Sequence, residues 1–162
     1  MKFFFLLILF ISRLSIVDDQ KYGDWLVMQS NEFSIAKTVN DSGSVVGMIC
    51  SPNGNNRSPY LPLDISCEDK SVNPMMMNSK TGSLPVAATC SKIGEALFLI
   101  FNDYQSIQYA FESGGEIGFA IPMADGKFKV VRFSTTGAIP ATKQILLSKK
   151  NIKQTGLKDE SF

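Results

Sequence analysis

Hydrophobic residues in the first two thirds of the chain fall in short runs separated by turn residues, a pattern typical of β-strands. Residues 25–28 are apolar, and residues 33–39 alternate between apolar and polar positions. One face of the alternating run carries Phe33, Ile35, Lys37 and Val39. The turn cluster Asn40-Asp-Ser-Gly43 separates this run from the apolar residues 45–50. The pattern therefore predicts a β-hairpin over residues 33–50.

Four more runs extend the strand pattern. Residues 60–67 contain Pro62, and because proline cannot donate to a strand ladder, this strand is expected at an edge of the sheet. Residues 74–78 and 84–90 are expected to pair across the turn between Asn78 and Gly82. Residues 96–101 are continuously apolar, as expected for a strand that is buried on both faces.

One segment has helical periodicity. Asn102 can cap the helix, with Gln105 as its capping-box partner, and Gly114-Gly115 provides the stop. The apolar positions at helical spacing are Tyr104, Ile107 and Phe111. We predict a helix near residues 103–113 that packs this face against a sheet containing residues 96–101.

The last third of the chain predicts a second hairpin and a second helix. Residues 116–122 and 127–133 alternate on either side of Ala124-Asp-Gly126, and Asp-Gly is a strong hairpin signal. A short C-terminal helix is predicted from Pro140, at its first position, to Leu147. The pattern as a whole predicts a mainly β fold, a single-domain β-sandwich or partly open barrel over residues 18–150. Residues 151–162 are expected to be a disordered tail.

The first residues of the chain have the pattern of an export signal. Lys2 precedes nine unbroken apolar residues, Phe3 to Ile11, which suits the core of a signal peptide and is too short to span a bilayer. Residues 1–17 are therefore interpreted as a signal peptide, and the expected location is periplasmic or secreted. A buried N-terminal element and an uncleaved anchor are the alternatives.

Composition and charge narrow the functional classes. The chain has 162 residues and contains no histidine, which removes Ser-His-Asp and Cys-His nucleophile systems and every His-ligated metal site. Of the 16 Lys and Arg residues, Lys2 and Arg13 lie in the signal segment, which leaves 14 against 15 acidic residues. A processed chain with a net charge of −1 has no electrostatic footprint for nucleic acid, so no nucleic-acid partner is expected.

Three cysteines, at positions 50, 67 and 90, permit one disulfide in an oxidising compartment. Cys67 and Cys90 each flank a polar segment where strand ends can meet, so the favoured pair is Cys67–Cys90. Cys50 closes a predicted strand and is expected to be a reduced, buried thiol. The rival pairing is Cys50–Cys67.

No motif with catalytic or metal-binding chemistry stands out. Met75-Met-Met77 invites a Cu(I) interpretation, but neighbouring residues on a strand point to opposite faces and cannot converge on one ion. The sequence has no phosphate-binding loop and no dinucleotide fingerprint. We therefore predict no catalytic residue, no metal and no cofactor. A cysteine- or carboxylate-dependent enzyme that uses Cys50 or Glu68 is the alternative.

Both ends of the predicted domain resemble one family. Tyr22-Gly23-Asp24-Trp25, followed by Leu26-Val27, resembles the aromatic-Gly-Asp-Trp opening of exported proteins of the invasion-associated locus B family. The segment Phe133-Ser-Thr-Thr-Gly137-Ala and the helix after it are similar to the closing segment of that family. The resemblance implies an exported β-sandwich without known catalytic residues that acts at the envelope or in association with a host cell.

These observations predict a non-enzymatic protein that binds an unidentified protein partner at the cell envelope or host surface and has no membrane span after processing. The alternative is a small periplasmic inhibitor or immunity protein. Such a protein would bind a hydrolase through an exposed loop such as residues 51–59.

Overall fold

The computed structural model of the chain describes residues 19–30, 33–51, 56–62, 67–93 and 96–152. Within these residues the strands are β1 (Gln20–Tyr22), β2 (Trp25–Gln29), β3 (Ser34–Val39), β4 (Val45–Cys50), β5 (Arg57–Leu61), β6 (Val72–Ser79), β7 (Gly82–Ile93), β8 (Ala96–Phe101), β9 (Glu116–Pro122) and β10 (Phe128–Ser134). The helices are α1 (Tyr104–Glu112) and α2 (Ala138–Ile152). The predicted signal peptide and residues 153–162 of the predicted tail lie outside the described residues.

All the strands belong to one antiparallel sheet in the order β1-β2-β3-β4-β5-β8-β7-β6-β9-β10, and this sheet is not closed into a barrel. The prediction of a mainly β fold is confirmed. Both predicted hairpins form, β3 with β4 and β9 with β10. The pairing of β6 with β7 across Lys80-Thr81 is confirmed as well.

The sheet folds over so that distant strands face each other across the core. β8 and β9 are three strand spacings apart in the sheet, about 14 Å along a flat surface. The ring centroids of Phe101 on β8 and Phe119 on β9 nevertheless lie 4.9 Å apart. The two halves of one sheet therefore enclose the core in a sandwich-like arrangement.

The helices pack against the first five strands of the chain. α2 contacts β1 to β4, and α1 contacts β5 and α2. Ile107 and Phe111 of α1 are buried as predicted, whereas Tyr104 is only half-buried. The ring of Phe111 meets Trp25 of β2 edge-on at a centroid distance of 5.0 Å.

The N-cap of α1 is Asp103, whose side chain accepts a hydrogen bond from the backbone N–H of Ser106. The prediction of Asn102 as the cap, with Gln105 as its partner, is therefore wrong. Asn102 instead continues the pairing of β8 with β7. Its N–H donates to the carbonyl oxygen of Ala87, and its side-chain oxygen accepts a hydrogen bond from the Thr89 hydroxyl.

β5 lies inside the sheet between β4 and β8, so the prediction of an edge strand is wrong. The strand ends at Leu61, directly before Pro62, and it begins at Arg57, inside the predicted loop 51–59. Proline thus ends this strand instead of marking an edge. Residues 52–55 and 63–66 lie outside the described residues.

Two strands bury different side chains from those that the pattern suggests. On β3 the inward face is the small and polar one, Ser34, Ala36 and Thr38, because α2 packs against it. On β8 only Leu99 and Phe101 are buried, so the prediction of burial on both faces is wrong.

α2 is longer than predicted. It begins at Ala138 and not at Pro140, and it continues beyond Leu147 to Ile152, two residues into the predicted tail. Pro140 lies in the first helical turn, where backbone N–H groups have no intrahelical acceptor. The missing N–H of proline therefore costs no hydrogen bond within the helix.

Candidate functional site

The segment Tyr22-Gly23-Asp24-Trp25 is the tight turn between β1 and β2. Tyr22 pairs with Trp25, so Gly23 and Asp24 form the tip, and Gly23 has a φ of 56°. Trp25 points into the core and is fully buried, whereas Asp24 is exposed.

The last strand of the sheet, β10, presents its edge to this turn. Met123 N–H bonds to the carbonyl oxygen of Lys127, and Thr135 N–H bonds to that of Gly115, in the same register as the β9–β10 ladder. Backbone bonding alternates along an antiparallel ladder, so odd-numbered residues of β10 bond to β9. The backbone groups of its even-numbered residues point away from β9, along the edge.

Three outward carbonyl oxygens, at the C-terminal end of β10 and just beyond it, accept hydrogen bonds from residues near the start of the domain. Arg132 O accepts from Asn40 Nδ2 at 3.1 Å, and Ser134 O accepts from Trp25 Nε1 at 3.0 Å. Thr136 O accepts from Asp24 N–H at 3.0 Å. We call these contacts the seam. It joins the two ends of the sheet without a strand ladder.

Side chains reinforce the seam, and its geometry demands glycine at one position. Ser134 Oγ donates to Asp24 Oδ2 at 2.6 Å. Gly137 has a φ of 92°, and a Cβ there would lie 1.8 Å from the carbonyl oxygen of Tyr22. The two segments that carry the family resemblance therefore contact each other directly, and their geometry is that of a structural closure.

Asn40 has two roles, of which the sequence indicated only the first. Its Oδ1 accepts from the N–H groups of Ser42 and Ser44 and holds the β3–β4 turn. Its Nδ2 reaches Arg132 O, 92 residues along the chain. An Asn in a turn cluster predicts the local bonds, whereas no sequence signal points to the distant one.

The seam ends at Arg132, and the N-terminal half of the β10 edge, at Phe128 and Val130, is open. Phe128 and Val130 are 64% and 54% exposed. Within the described part of the chain, no backbone group bonds to the outward N–H and C=O groups of these two residues. Lys129 lies between them, and Lys127 forms an ion pair with Asp125 at 3.4 Å.

Two shallow depressions flank β10 and share Glu116 and Arg132. The first, of about 400 Å³, lies on the outer face of the sheet and is lined by Met76, Ala120 and Val130 among others. The second, of about 500 Å³, lies beside the seam and is lined by polar groups, including Lys21 and Asp41. Neither Glu116 nor Arg132 makes a side-chain ion pair within the described residues, and the sequence interpretation missed Arg132 entirely.

The cysteines are placed as predicted. Cys67 and Cys90 form the disulfide, with Cα atoms 6.1 Å apart, and Cys50 is a buried thiol outside it. The rival pairing Cys50–Cys67 is therefore wrong. Backbone bonds secure the bridged segment, because Lys70 N–H donates to Cys90 O and Cys90 N–H donates to Ser71 O.

The structure does not bring together the residues of the alternative metal-binding and catalytic interpretations. Met75 and Met77 are buried and Met76 is exposed, so the three sulfurs do not converge. Among the described residues, no three His, Cys, Asp or Glu side chains are grouped closely enough to hold a metal ion. Burial raises the pKa of Tyr60, so this phenol stays protonated at neutral pH. Glu68 is exposed in the loop before β6, whereas Cys50 is buried at the end of β4.

The structure describes part of the predicted binding loop, residues 51–59. Of the loop 51–59, Arg57 to Pro59 belong to β5, and the Arg57 guanidinium lies 3.5 Å from the Tyr104 hydroxyl. Neither α1 nor α2, as far as they are described, has the length and apolar character needed to cross a bilayer.

Comparison with known proteins gives a match in fold. No protein-family model matches the sequence, and no curated protein matches it. Among solved structures, the crystal structure of invasion-associated protein B from Bartonella henselae is similar, with a TM-score of 0.56 and 16% identity. The match covers 82% of this chain and 98% of that chain. The resemblance to the invasion-associated locus B family is thus confirmed at the level of the fold.

Proposed function

We propose that the chain is an exported, non-enzymatic envelope protein of the invasion-associated locus B type that acts by binding another protein. The observation that carries this proposal is the likeness in fold to invasion-associated protein B, which extends over 98% of that chain.

Two features support export. Stable disulfides form in oxidising compartments such as the periplasm and the extracellular space, and Cys67–Cys90 is such a bond. The apolar core behind Lys2 has the length of a signal peptide, so processing near residue 17 is part of the proposal.

The surface supports a binding role. β10 combines exposed apolar side chains with backbone groups that lack a strand partner, and such edges are templates for pairing with another chain. The described residues offer no comparable grouping of catalytic side chains.

Export is tested by fractionating source cells and measuring the intact mass of the native protein. We expect a mass without residues 1–17 in the envelope or secreted fraction. A full-length mass in the cytosol would contradict export.

Binding is tested by amine-reactive cross-linking in intact cells, followed by mass spectrometry of the adducts. We expect an adduct with a membrane or surface protein, which is preserved when Cys50 and Glu68 are substituted singly. An adduct with one soluble hydrolase would instead favour the inhibitor class, and the absence of any adduct would contradict the binding role.

A further inference from the structure

We propose that the open half of the β10 edge binds an extended segment of a partner protein as an additional antiparallel strand. The segment would have an acidic residue between two apolar residues. This inference rests on the proposed binding function and adds the surface and the chemistry of the partner.

The backbone geometry defines the length of the bound segment. The N–H and C=O groups of Phe128 and Val130 point along the edge, while the next outward carbonyl, Arg132 O, is occupied by Asn40. Two consecutive outward residues offer two donors and two acceptors, which is the bonding pattern of a short antiparallel ladder. A segment of three residues, opposite positions 128–130, satisfies all four groups.

The side chains specify which residues suit each position. Phe128 and Val130 lie on the same outer face of the sheet and are both exposed. In the row of Val130, Ala120 and Met76 continue the apolar surface inward from the edge. Apolar residues opposite Phe128 and Val130 would extend this surface, since cross-strand apolar pairs stabilise a sheet.

Lys129 determines the middle position. It points to the opposite face from its two neighbours, because side chains alternate along a strand. Lys127 forms an exposed ion pair with Asp125 at 3.4 Å, whereas Lys129 has no ion pair within the described residues. An acidic residue directly opposite Lys129 supplies the missing charge, since opposite charges facing each other across a ladder are favourable.

A second copy of this chain fits the edge less well. Antiparallel pairing that used Phe128 and Val130 of both copies would place the two Lys129 side chains directly opposite each other, and like charges there are destabilising. Shifting the register toward the seam would meet Arg132 O, which already accepts from Asn40. The edge therefore favours a different chain with an acidic residue.

The probe is the blocked peptide Thr-Val-Glu-Val-Thr, titrated into ¹⁵N-labelled protein that is expressed as the full chain in an exporting host. We expect saturable amide shifts centred on Phe128 and Val130, with a Kd of about 1–5 mM for so short a ladder. A peptide with Lys in place of Glu should bind at least about fivefold more weakly. A peptide with Pro in place of one Val should not bind, because it lacks a ladder donor.

Val130→Lys is the blocking variant, because a lysine on the edge opposes strand pairing. Its matched control is Val72→Lys, a 60% exposed valine that pairs with Thr89 of β7 and lies away from the β10 edge. With circular dichroism and urea midpoints showing both variants folded, we expect at least about tenfold weaker peptide binding only for Val130→Lys.

Three results would overturn the proposal. These are no saturable shift at 128 and 130, equal affinity for the Glu and Lys peptides, and self-association that Val130→Lys abolishes, which would make a second copy the occupant. A partner cross-linked in cells without peptide binding at β10 would refute the edge proposal alone. Peptide binding without any cross-linked partner would count against the proposed function alone.

Discussion

The indole Nε1 of Trp25 donates a hydrogen bond of 3.0 Å to the carbonyl oxygen of Ser134, 109 residues further along the chain. The same ring packs edge-on against Phe111 of α1. One fully buried side chain thus joins the second strand of the sheet to the last strand and to a helix. Because these three elements are distant in sequence, the contact forms only when the whole domain is assembled.

Replacing Trp25 by Phe keeps an aromatic ring in the core but removes the donor to Ser134 O. We expect a loss of about 2–4 kcal/mol in the free energy of unfolding, since a part-buried carbonyl loses its partner and the smaller ring leaves a cavity. Urea denaturation measures the change. Phe128→Leu, at an exposed position, should change stability by less than about 0.5 kcal/mol. Equal stability of Trp25→Phe and the parent would mean that the hydrogen bond from Trp25 to Ser134 adds nothing to the stability of the fold.

Gly137 is predicted to tolerate no side chain. In Gly137→Ala, a Cβ would overlap the carbonyl oxygen of Tyr22, and the residue would keep a φ of 92°. We expect a loss of more than about 4 kcal/mol or failure to fold, because backbone must move on both sides of the seam. Gly43→Ala is the control, with a φ of 79° and open space around it, and it should cost only about 1–2 kcal/mol. Similar thermal midpoints for the two variants would contradict the close contact at the seam.

Features set by neighbouring residues could be predicted from the sequence. The hairpins around Gly43 and Gly126 and the buried face of α1 follow from turn chemistry and periodicity, which act over a few residues. The order of strands could not be predicted in this way. Nothing in residues 57–61 indicates that β5 lies beside β8, because that neighbour is chosen by packing across the whole core.

The seam shows the same limit for the candidate site. The segments around Trp25 and Gly137 were visible as a resemblance to one family, but not as partners of each other. The inward face of β3 was not predicted either, since the burial of Ala36 depends on distant elements such as α2 that pack against this strand. The open edge at Phe128 and Val130 is likewise defined by where the seam ends.

The burial of α1 gives a third prediction. Phe111→Ala should lower the free energy of unfolding by about 3–5 kcal/mol, because it removes a fully buried ring in contact with Trp25. Tyr109→Ala, on the exposed side of the same helix, should cost less than about 1 kcal/mol. Comparing the two in denaturant titrations separates loss of packing from loss of helix propensity. A cost below about 1 kcal/mol for Phe111→Ala would place this face outside the core.

The cap of α1 makes part of the stability depend on pH. Hydrogen bonds from the side chain and the backbone N–H of Ser106 lower the pKa of Asp103. A lowered folded-state pKa contributes stability that is present above the unfolded value, about 3.9, and is lost as the pH falls through the folded value. Asp103→Asn keeps a capping side chain that does not titrate.

We therefore expect the stability of the parent relative to Asp103→Asn to fall as the pH drops below about 5 and to stay constant above pH 5. At neutral pH, Asp103→Ala should cost about 0.5–2 kcal/mol. Urea midpoints measured across this pH range test both expectations. A constant difference between parent and Asp103→Asn would show that the carboxylate does not act through its charge.

The cysteines give the last prediction. In native protein, iodoacetamide should label no cysteine, because Cys50 is buried and the other two are bonded. In denaturant without reductant it should label Cys50 alone, and after reduction it should label all three. Converting both Cys67 and Cys90 to Ala opens a loop of 23 residues and should cost about 3 kcal/mol, whereas Cys50→Ala leaves that loop closed. Non-reducing peptide mapping identifies the bond directly, and a linked pair that contains Cys50 would refute the assignment. Three reactive thiols in exported material would also contradict the oxidising compartment that the proposed function requires.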